Sequence, residues 1–336
     1  MIDKTEEEIM KSWGNQFDKP LVTICSITFN HENYIEQALD SFLIQETSFP
    51  FEIIVHDDLS TDNTSAIIQQ YEEKYPKIIK PIYQKENQYS KGIRAISPIF
   101  VFPKAKGKYL TLCEGDDYWT GISKLEQQVE FLENNNNYSL CYHNSTVVDE
   151  NSHLLEKMKH ASPKDYTVEE MLLGETFILT NTIMFRNFTP EILKGYQVKY
   201  KEVFNGDMAL MHQLGFMGKC KYLEEVDFAA YRVHSGGVWS SINEVKKIEN
   251  IYKSKRVLEK NLLDYPELEA KMDSVISHHF SISLSRILLL RDLKSYSKVI
   301  QLIKSDNRLS LFDIVVKHIR YIFSRIIARV PLVGGK

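Results

Sequence analysis

The sequence predicts an α/β protein in which a mostly parallel sheet is flanked by helices and followed by a helical C-terminal extension. The first observation is an alternation of short apolar runs and amphipathic segments between Leu21 and Leu132, which is typical of strands and helices wound into a parallel sheet. The second is that clusters of acidic residues directly follow two of these runs. The third is the length of 336 residues, which suits one large α/β unit with an appendage.

Each element follows from its own pattern, since short apolar runs rich in β-branched residues predict strands and apolar residues at every third or fourth position predict helices. The predicted strands are Leu21–Ile27, Phe51–His56, Ile78–Tyr83, Lys108–Cys113, Tyr138–Val148, Phe177–Phe185 and Lys221–Val233. The predicted helices are Tyr34–Gln45, a helix capped by Ser60 and Thr61 that continues to Tyr75, Gly92–Phe102, a helix with Leu125, Val129 and Leu132 in phase, and Asp207–Met217. Pro81 restricts its strand to a sheet edge, and Pro98 predicts an irregular turn.

The distribution of charge divides the chain into an acidic part and a basic part. We expect a leader at residues 1–19, an α/β region at 20–240 and a helical region at 241–336, with Pro266 as the main break. Residues 1–240 hold 23 Lys and Arg against 35 Asp and Glu, whereas residues 241–336 hold 18 against 10. The two regions therefore face different partners. The net charge of −4 argues against a nucleic-acid partner.

The expected location is the cytoplasm, peripherally on the inner face of the cell membrane. The four cysteines show no metal-binding spacing, and Cys25, Cys113 and Cys141 lie in apolar runs typical of core thiols in a reducing compartment. The first ten residues are acidic and lack the apolar core of a signal peptide. No run of 18 uncharged apolar residues is present to span a bilayer.

The C-terminal residues 311–336 combine a basic face with an apolar face. Lys317 and Arg320 recur at helical spacing, and Phe312, Val315 and Ile319 occupy the other side. Such a helix suits a membrane interface. The alternatives are a helix docked on its own domain and a homodimer contact.

The segment Glu114-Gly115-Asp116-Asp117 follows a predicted buried strand. Crowded carboxylates repel one another, and a divalent cation removes that cost. One or two carboxylates suffice where phosphates complete the coordination shell of Mg²⁺ or Mn²⁺. The alternative is a solvated acidic turn that caps the next helix.

A second acidic pair, Asp57-Asp58, ends another predicted strand. The alternative to a binding role is an elaborate helix cap, which needs only one acid. The second acid would then have no structural role, and it could accept hydrogen bonds from a nucleobase or a ribose.

Three segments together resemble the family 2 glycosyltransferases. They are Ile27-Thr28-Phe29-Asn30, the run from Val55 to Thr64, and Glu114-Gly115-Asp116-Asp117-Tyr118-Trp119. They occur in the order of the family and roughly at its spacing, and the similarity covers about residues 20–240. The resemblance implies a nucleotide-sugar-binding catalytic domain with the glycosyltransferase A fold, a divalent metal (Mn²⁺ or Mg²⁺) and an inverting transfer.

The resemblance also implies roles for individual residues. The donor-binding residues it implies are Thr28, Asp57, Asp58, Lys91, Arg94, Glu114 and Asp116, and the metal ligands are Asp116, Asp117 and His234. Asp207 matches the catalytic base, with Gly206 in place of the usual Glu, and Glu114 replaces the usual first Asp of the metal motif. Trp239 follows Gly236-Gly237, which suits a lid over the donor.

Each of these residues has a simpler alternative. Asp207 could cap a helix, His234 could be a surface histidine, Lys91 and Arg94 could line a solvated helix face, and Trp239 could be a packed aromatic.

The expected function is the inverting transfer of a sugar from a nucleotide diphosphate sugar, with uridine expected as the base. The acceptor is a hydroxyl of a glycan or lipid-linked molecule in bacterial surface polysaccharide synthesis. The alternatives are a non-catalytic nucleotide-sugar-binding scaffold and a sugar nucleotidyltransferase. The latter class needs a Gly-rich phosphate loop, which Thr28-Phe29-Asn30-His31 does not provide.

Overall fold

The structure, a computed structural model, describes residues 2–14, 19–156, 164–200 and 202–327, the last seven as backbone only. The chain forms two compact units. The first comprises the described residues within 1–172, 176–201 and 206–234, and the second those within 173–175, 202–205 and 235–336.

The described residues of the first unit contain eleven strands. They are β1 (Val22–Thr28), β2 (Phe51–Asp57), β3 (Ile79–Tyr83), β4 (Tyr109–Leu112), β5 (Tyr118–Trp119), β6 (Tyr138–Tyr142), β7 (Ser145–Val148), β8 (Leu154–Glu156), β9 (Met184–Arg186), β10 (Lys219–Tyr222) and β11 (Ala229–Arg232). Its helices are α1 (Glu6–Met10), α2 (Ile35–Leu43), α3 (Thr64–Lys74), α4 (Lys124–Asn134), α5 (Val168–Leu172), α6 (Thr189–Val198) and α7 (Gly206–Gly215).

Seven strands form the main sheet in the order β10-β6-β9-β4-β1-β2-β3. All neighbours are parallel except β9, which runs antiparallel between β4 and β6. β2 is buried along its whole length, because helices cover both faces of a parallel sheet. The predicted α/β architecture is therefore confirmed, with β3 at the edge as Pro81 requires.

β5, β11, β7 and β8 form a second, four-stranded sheet. The predicted strand Tyr138–Val148 is in fact β6 and β7, which belong to different sheets, and Lys221–Val233 is likewise divided into β10 and β11. Polar residues mark both breaks, at Asn144 and at Glu224-Glu225. The predicted strand Phe177–Phe185 is interrupted by a 3₁₀ turn at Thr180–Thr182, and the strand itself, β9, covers Met184–Arg186.

Two predicted helices differ from the structure. The segment Gly92–Phe102 contains only a π turn at Ser97–Val101, followed by a 3₁₀ turn at Phe102–Lys104, because prolines at 98 and 103 remove backbone donors. The helix expected to begin at Ser60 begins at Thr64, and Asn63 precedes it without a side-chain cap.

The expected leader is part of the first unit over its described residues. Thr5 and Glu8 form a capping box that starts α1. Ile9, Met10 and Trp13 are buried in the main hydrophobic core. Residues 2–14 therefore contribute to the stability of the first unit.

The second unit is helical. Its helices are α8 (Glu244–Glu259), α9 (Pro266–Glu269), α10 (Met272–Leu289), α11 (Leu293–Lys304) and α12 (Leu311–Ile327). α12 packs on α10: Ile314 is fully buried, and His318 Nδ1 lies 2.7 Å from Ser285 Oγ. These contacts favour the docked-helix alternative for the described side chains of residues 311–320, and the rest of the segment 311–336 lies outside the described side chains. Within the described chain, no helix is both long enough and apolar enough to cross a membrane.

Candidate active site

The candidate site lies where β1, β2 and β4 end at one edge of the main sheet. Thr28 stands opposite Asp57 in the parallel register, and the turn after β4 returns to β1 through a 2.9 Å hydrogen bond from Gly115 N to Ile27 O. A Cβ on Gly115 would lie 2.8 Å from the side chain of Thr28. Glycine at position 115 therefore lets the acidic segment approach the end of β1.

Asp116 forms the centre of a cluster with two histidines. Its Oδ2 lies 3.0 Å from His234 Nε2 and 3.7 Å from His31 Nε2. One ligand atom from each residue falls within 4.8 Å of the others, so the three could hold a metal ion together. Burial alone would raise the pKa of Asp116, but the hydrogen bond with His234 and the proximity of His31 hold that pKa below its usual value.

His31 was not selected from the sequence. Its only signal is its position three residues beyond the end of β1, the strand that pairs with β4. Its Nδ1 is buried and has no hydrogen-bond partner among the described residues. Burial lowers the pKa of His31, which favours the neutral ring that a metal requires.

Arg232 supports the backbone of Asp116. Arg232 is almost fully buried, and its Nε donates to the Asp116 carbonyl at 2.8 Å. Its other acceptors are the carbonyl oxygens of Asp149 and Glu150, Ser152 Oγ and Gln37 Oε1. The guanidinium also lies over the ring of Tyr34, at 4.8 Å. The sequence alone assigned no role to Arg232.

Asp117 points away from this cluster, contrary to the metal-ligand assignment. Its Oδ1 accepts the backbone N–H of Arg232 at 2.8 Å, and its Oδ2 accepts Asn181 Nδ2 at 2.9 Å. Burial raises the pKa of Asp117 well above its usual value. Asp117 thus joins the acidic segment to β11 and is not a candidate metal ligand.

Four carboxylates act on the phenol of Tyr231. Burial raises the pKa of this phenol, and nearby negative charges raise it further. Those charges are Asp117, Asp116, Glu114 and Asp207. The four carboxylates are therefore close enough to Tyr231 to influence its charge.

The charge of Asp207 also acts on Glu114. Burial raises the pKa of Glu114 to about 7, a shift that the hydrogen bond from Thr180 opposes and the charges of Asp116 and Asp207 increase. Thr180 Oγ1 donates to both carboxylate oxygens, at 2.8 and 3.0 Å. Asp207 lies in the first turn of α7 and reaches solvent. Desolvation nevertheless raises its pKa, and the backbone N–H groups of Asp207 and Met208 oppose the shift.

Asp57 and Asp58 are both engaged within the protein. Asp57 accepts hydrogen bonds from the hydroxyls of Ser60 and Ser65. Asp58 accepts the backbone N–H groups of Gln88 and Tyr89, at 2.8 and 2.9 Å. The expectation that the second acid lacks a structural role is therefore wrong, since Asp58 fixes the loop after β3.

That loop carries the two predicted basic residues. Lys91 forms a surface ion pair with Glu86. Arg94 lies over the ring of Tyr89 at 4.0 Å and donates to its carbonyl at 3.0 Å. The Arg94 carbonyl lies 3.5 Å from where a Cβ on Gly206 would be, so Arg94 adjoins the start of α7. The ion pair of Lys91 is thus with Glu86 and not with a carboxylate of the candidate site.

Trp239 belongs to the second unit, where Lys247 Nζ lies 5.7 Å from its ring. The role of Trp239 as a lid over the donor therefore stays a prediction. Trp119, beside the acidic segment, is a core residue: it is 2% exposed and its Nε1 donates to Asn181 O.

Comparison with known proteins assigns a family to this arrangement. Residues 23–211 match the model described as glycosyl transferase family 2. An uncharacterised protein of Mycobacterium tuberculosis is 35% identical over 226 residues, which are 66% of this chain and 61% of that protein. The putative teichuronic acid biosynthesis glycosyltransferase TuaG of Bacillus subtilis is 34% identical over 149 residues, or 42% of this chain and 56% of that protein.

A solved structure shows the same fold. The crystal structure of S. aureus TarS residues 1–349 in complex with UDP-GlcNAc has a TM-score of 0.60 at 20% identity, covering 84% of this chain and 79% of that one. The predicted glycosyltransferase A-type fold is confirmed. The match covers less than two thirds of the length of the M. tuberculosis relative.

Proposed function

The chain belongs to glycosyl transferase family 2, and from that membership we propose that it transfers a sugar from a UDP-linked donor to a hydroxyl group, with inversion at the anomeric carbon. The observation that carries the proposal is the cluster of Asp116 with His31 and His234 at the edge of the main sheet. Glu114 and Asp207 act on the same phenol, Tyr231, as Asp116 does. Like charges held close together disfavour ionisation, as the raised pKa of Glu114 shows, so such a group of acids is typical of a functional site.

The side chains of His31, Asp116 and His234 suit a divalent metal ion. Two imidazole nitrogens and one carboxylate oxygen leave open positions for diphosphate oxygens. Imidazole nitrogen is a better ligand for a transition metal such as Mn²⁺ than for Mg²⁺, which prefers oxygen. We therefore favour Mn²⁺ and add His31 to the expected ligands.

Different residues of the chain would serve different steps of the reaction. Thr28 and the Asp57-Asp58 pair would hold the nucleoside at the ends of β1 and β2. Asp207 would take the proton of the acceptor hydroxyl as its oxygen bonds to the anomeric carbon, while the bond from that carbon to the diphosphate breaks. A bound metal would stabilise the leaving diphosphate as a Lewis acid. Attack from the face opposite the diphosphate makes an α-linked donor yield a β-linked product.

The acceptor we propose is a glycan or a lipid-linked intermediate of bacterial surface polysaccharide synthesis. The similarity to TuaG, which is described as acting in teichuronic acid biosynthesis, supports this class. We propose a cytoplasmic protein that works at the inner face of the membrane, where such acceptors are extended.

A non-catalytic scaffold remains the second candidate because Gly206 lacks the carboxylate that the family often has. A Cβ at position 206 would make only an ordinary contact of 3.5 Å with the Arg94 carbonyl. Space therefore does not require glycine there. A Gly206→Glu variant that gains activity would identify the missing carboxylate as an acceptor contact.

Donor hydrolysis and transfer, measured over a panel of nucleotide sugars with Mn²⁺, test the proposed function. The wild type should turn over at least one donor, and Asp207→Asn should be slower by roughly 10²–10⁴-fold. Asp264→Asn, an exposed aspartate of the second unit, should behave as the wild type. Absence of turnover in both the wild type and Asp264→Asn would favour the non-catalytic scaffold. Turnover by Asp207→Asn equal to that of the wild type would show that Asp207 is not the base.

Calorimetry of Mn²⁺ in the presence of UDP tests the ligands separately from activity. His31→Gln should weaken Mn²⁺ binding, whereas His153→Gln, which changes an exposed histidine paired with Asp149, should not. His31→Asp should improve binding of Mg²⁺ relative to Mn²⁺, because it replaces a nitrogen ligand with oxygen. Unchanged Mn²⁺ affinity in His31→Gln would remove His31 from the site and leave the proposed reaction standing.

A further inference from the structure

The turn between α10 and α11 exposes a dense group of leucines. Leu289, Leu290 and Leu293 are 71%, 62% and 70% exposed, and Leu288 is also exposed. We call residues 286–294 the leucine turn. Single exposed leucines are ordinary on protein surfaces, but a contiguous group marks a contact surface.

The leucine turn is held in one backbone conformation. Leu290 N donates to Arg286 O at 3.1 Å, and Arg291 N donates to Leu288 O at 3.0 Å. Arg291 adopts a left-handed conformation with φ of 57°, which ends α10. Asp292 then caps α11 by accepting the N–H of Ser295 at 3.0 Å. The leucines are thus displayed by a capped helical hairpin, and no loose segment is involved.

Poor packing does not explain their exposure. Leu284 and Ile287 of α10 are buried in the core of the second unit, as are Val299 and Ile303 of α11. Three consecutive residues on a helix point about 100° apart, so Leu288, Leu289 and Leu290 surround the end of α10. The helix buries one apolar face and presents a second apolar surface at its tip.

Basic side chains surround these leucines. Arg286, Arg291 and Lys294 are exposed, and the one acid in the turn, Asp292, is used as the α11 cap. Arg286 Nε also lies 3.5 Å from Glu244, whereas Arg291 and Lys294 are exposed cations beside the leucines. Apolar residues ringed by cations match the acyl boundary and the headgroups of an anionic bilayer.

We propose that the leucine turn inserts into the surface of an anionic lipid bilayer. The occupant is lipid and not a second copy of the chain, because a twofold contact centred on this turn would concentrate the cations of both copies in one interface. The surface lies outside residues 311–336. It belongs to the second unit, and the proposal stands whether or not the first unit transfers a sugar.

Sedimentation of the full chain with vesicles of phosphatidylglycerol and phosphatidylcholine tests the proposal. Each leucine that leaves water should contribute at least about tenfold to the binding constant, so Leu289→Ser/Leu290→Ser should bind at least about 100-fold more weakly. The matched control is Leu154→Ser/Leu155→Ser, which changes an adjacent pair of exposed leucines in the first unit. The control should bind as the wild type does.

Substitution of the basic residues is a second test, independent of the leucine variants. Asn tolerates the left-handed conformation at position 291, so Arg291→Asn/Lys294→Gln should fold normally. At about fivefold for each cation near an anionic surface, the variant should bind roughly 25-fold more weakly to anionic vesicles and unchanged to purely phosphatidylcholine vesicles. Added salt should weaken the wild type in the same way.

Three outcomes would overturn the proposal. The first is a wild type that does not sediment with anionic vesicles. The second is a loss of binding in the Leu154/Leu155 control equal to that in the Leu289/Leu290 variant. The third is a dimer, seen by analytical ultracentrifugation without vesicles, that the Leu289/Leu290 variant abolishes, since a second copy would then cover the turn.

Discussion

The role of Arg232 as the support of Asp116 can be tested by Arg232→Lys. The guanidinium makes five hydrogen bonds, three of them to backbone carbonyl oxygens. A lysine ammonium keeps the charge but has only three donors, which radiate from a single atom. At least two of the five acceptors therefore lose this partner, and the exposed ones, on Gln37 and Glu150, can bond to water instead.

The expected cost follows from those lost bonds. A hydrogen bond from a charged donor is worth about 1.5–3 kcal/mol. Because exposed acceptors regain hydrogen bonds to water, the substitution should destabilise the first unit by about the value of one such bond, 1.5–3 kcal/mol. The Asp116 carbonyl is one of the acceptors. Its release should let Asp116 shift relative to His31 and His234, and Mn²⁺ binding should weaken as well.

Urea denaturation followed by tryptophan fluorescence measures the first effect. A Trp239→Phe background leaves Trp13 and Trp119, both in the first unit, as reporters. Calorimetry of Mn²⁺ with UDP, in the natural background, measures the second effect.

Arg186→Lys is the matched control. Arg186 also donates to three backbone carbonyls, those of Tyr138, Leu132 and Asn135, but it does not contact the acidic segment. It should lose stability and keep its Mn²⁺ affinity. If Arg232→Lys loses stability but binds Mn²⁺ as Arg186→Lys does, Arg232 is structural only and the positioning argument fails.

Three further outcomes are expected. Asp207→Asn should lose the acid limb of the pH–rate profile. Because the pKa of Asp207 is raised in the folded protein, its ionised form costs stability at neutral pH. The variant should therefore melt no lower than the wild type, and a lower melting temperature would contradict the raised pKa. Burial lowers the pKa of Lys124 to about 7, so the unfolded chain binds the extra proton between about pH 7 and the ordinary lysine pKa, and stability should rise with pH across that window. Lys124→Met should flatten this rise in urea denaturation, and an unchanged slope would reject the lowered pKa. Gly115→Ala should cost about 1–3 kcal/mol and weaken UDP binding, because its Cβ would press on Thr28; wild-type stability and UDP affinity together would show that the turn can move freely.

The main sheet could be predicted because its strands are buried on both faces. β1, β2 and β4 consist of nearly uninterrupted apolar runs, and their ends carry the acids. Parallel strands end at one edge, so Asp57 and the Glu114–Asp117 segment could be assigned to one region from the chain order alone. The second sheet could not, because its strands are two to four residues long and too short for a periodic signal.

The ligand set was harder to predict. His31 follows β1 with no informative spacing to Asp116, and only the pairing of β1 with β4 brings the two together. The pair Asp116-Asp117 gives no indication of which carboxylate faces the cluster. The chain turns at Gly115-Asp116, and the structure directs Asp117 towards Asn181 and the backbone N–H of Arg232.

The acids after β2 show a different limit. Sequence spacing locates Asp58 at the strand end but cannot reveal that a loop thirty residues later returns its N–H groups to that carboxylate. Long-range hydrogen bonds of this kind depend on the path of the chain, so a side chain that looks unused in the sequence can be fully engaged in the fold.

Pulsed electron paramagnetic resonance of Mn²⁺ bound with UDP tests the central claim most directly. The arrangement of His31, Asp116 and His234 predicts hyperfine coupling to two imidazole nitrogens and to the phosphorus of the diphosphate, with one nitrogen coupling lost in His31→Gln and the other in His234→Gln. A Mn²⁺–UDP complex that shows phosphorus coupling and no imidazole nitrogen would contradict the claim that these side chains form the metal site.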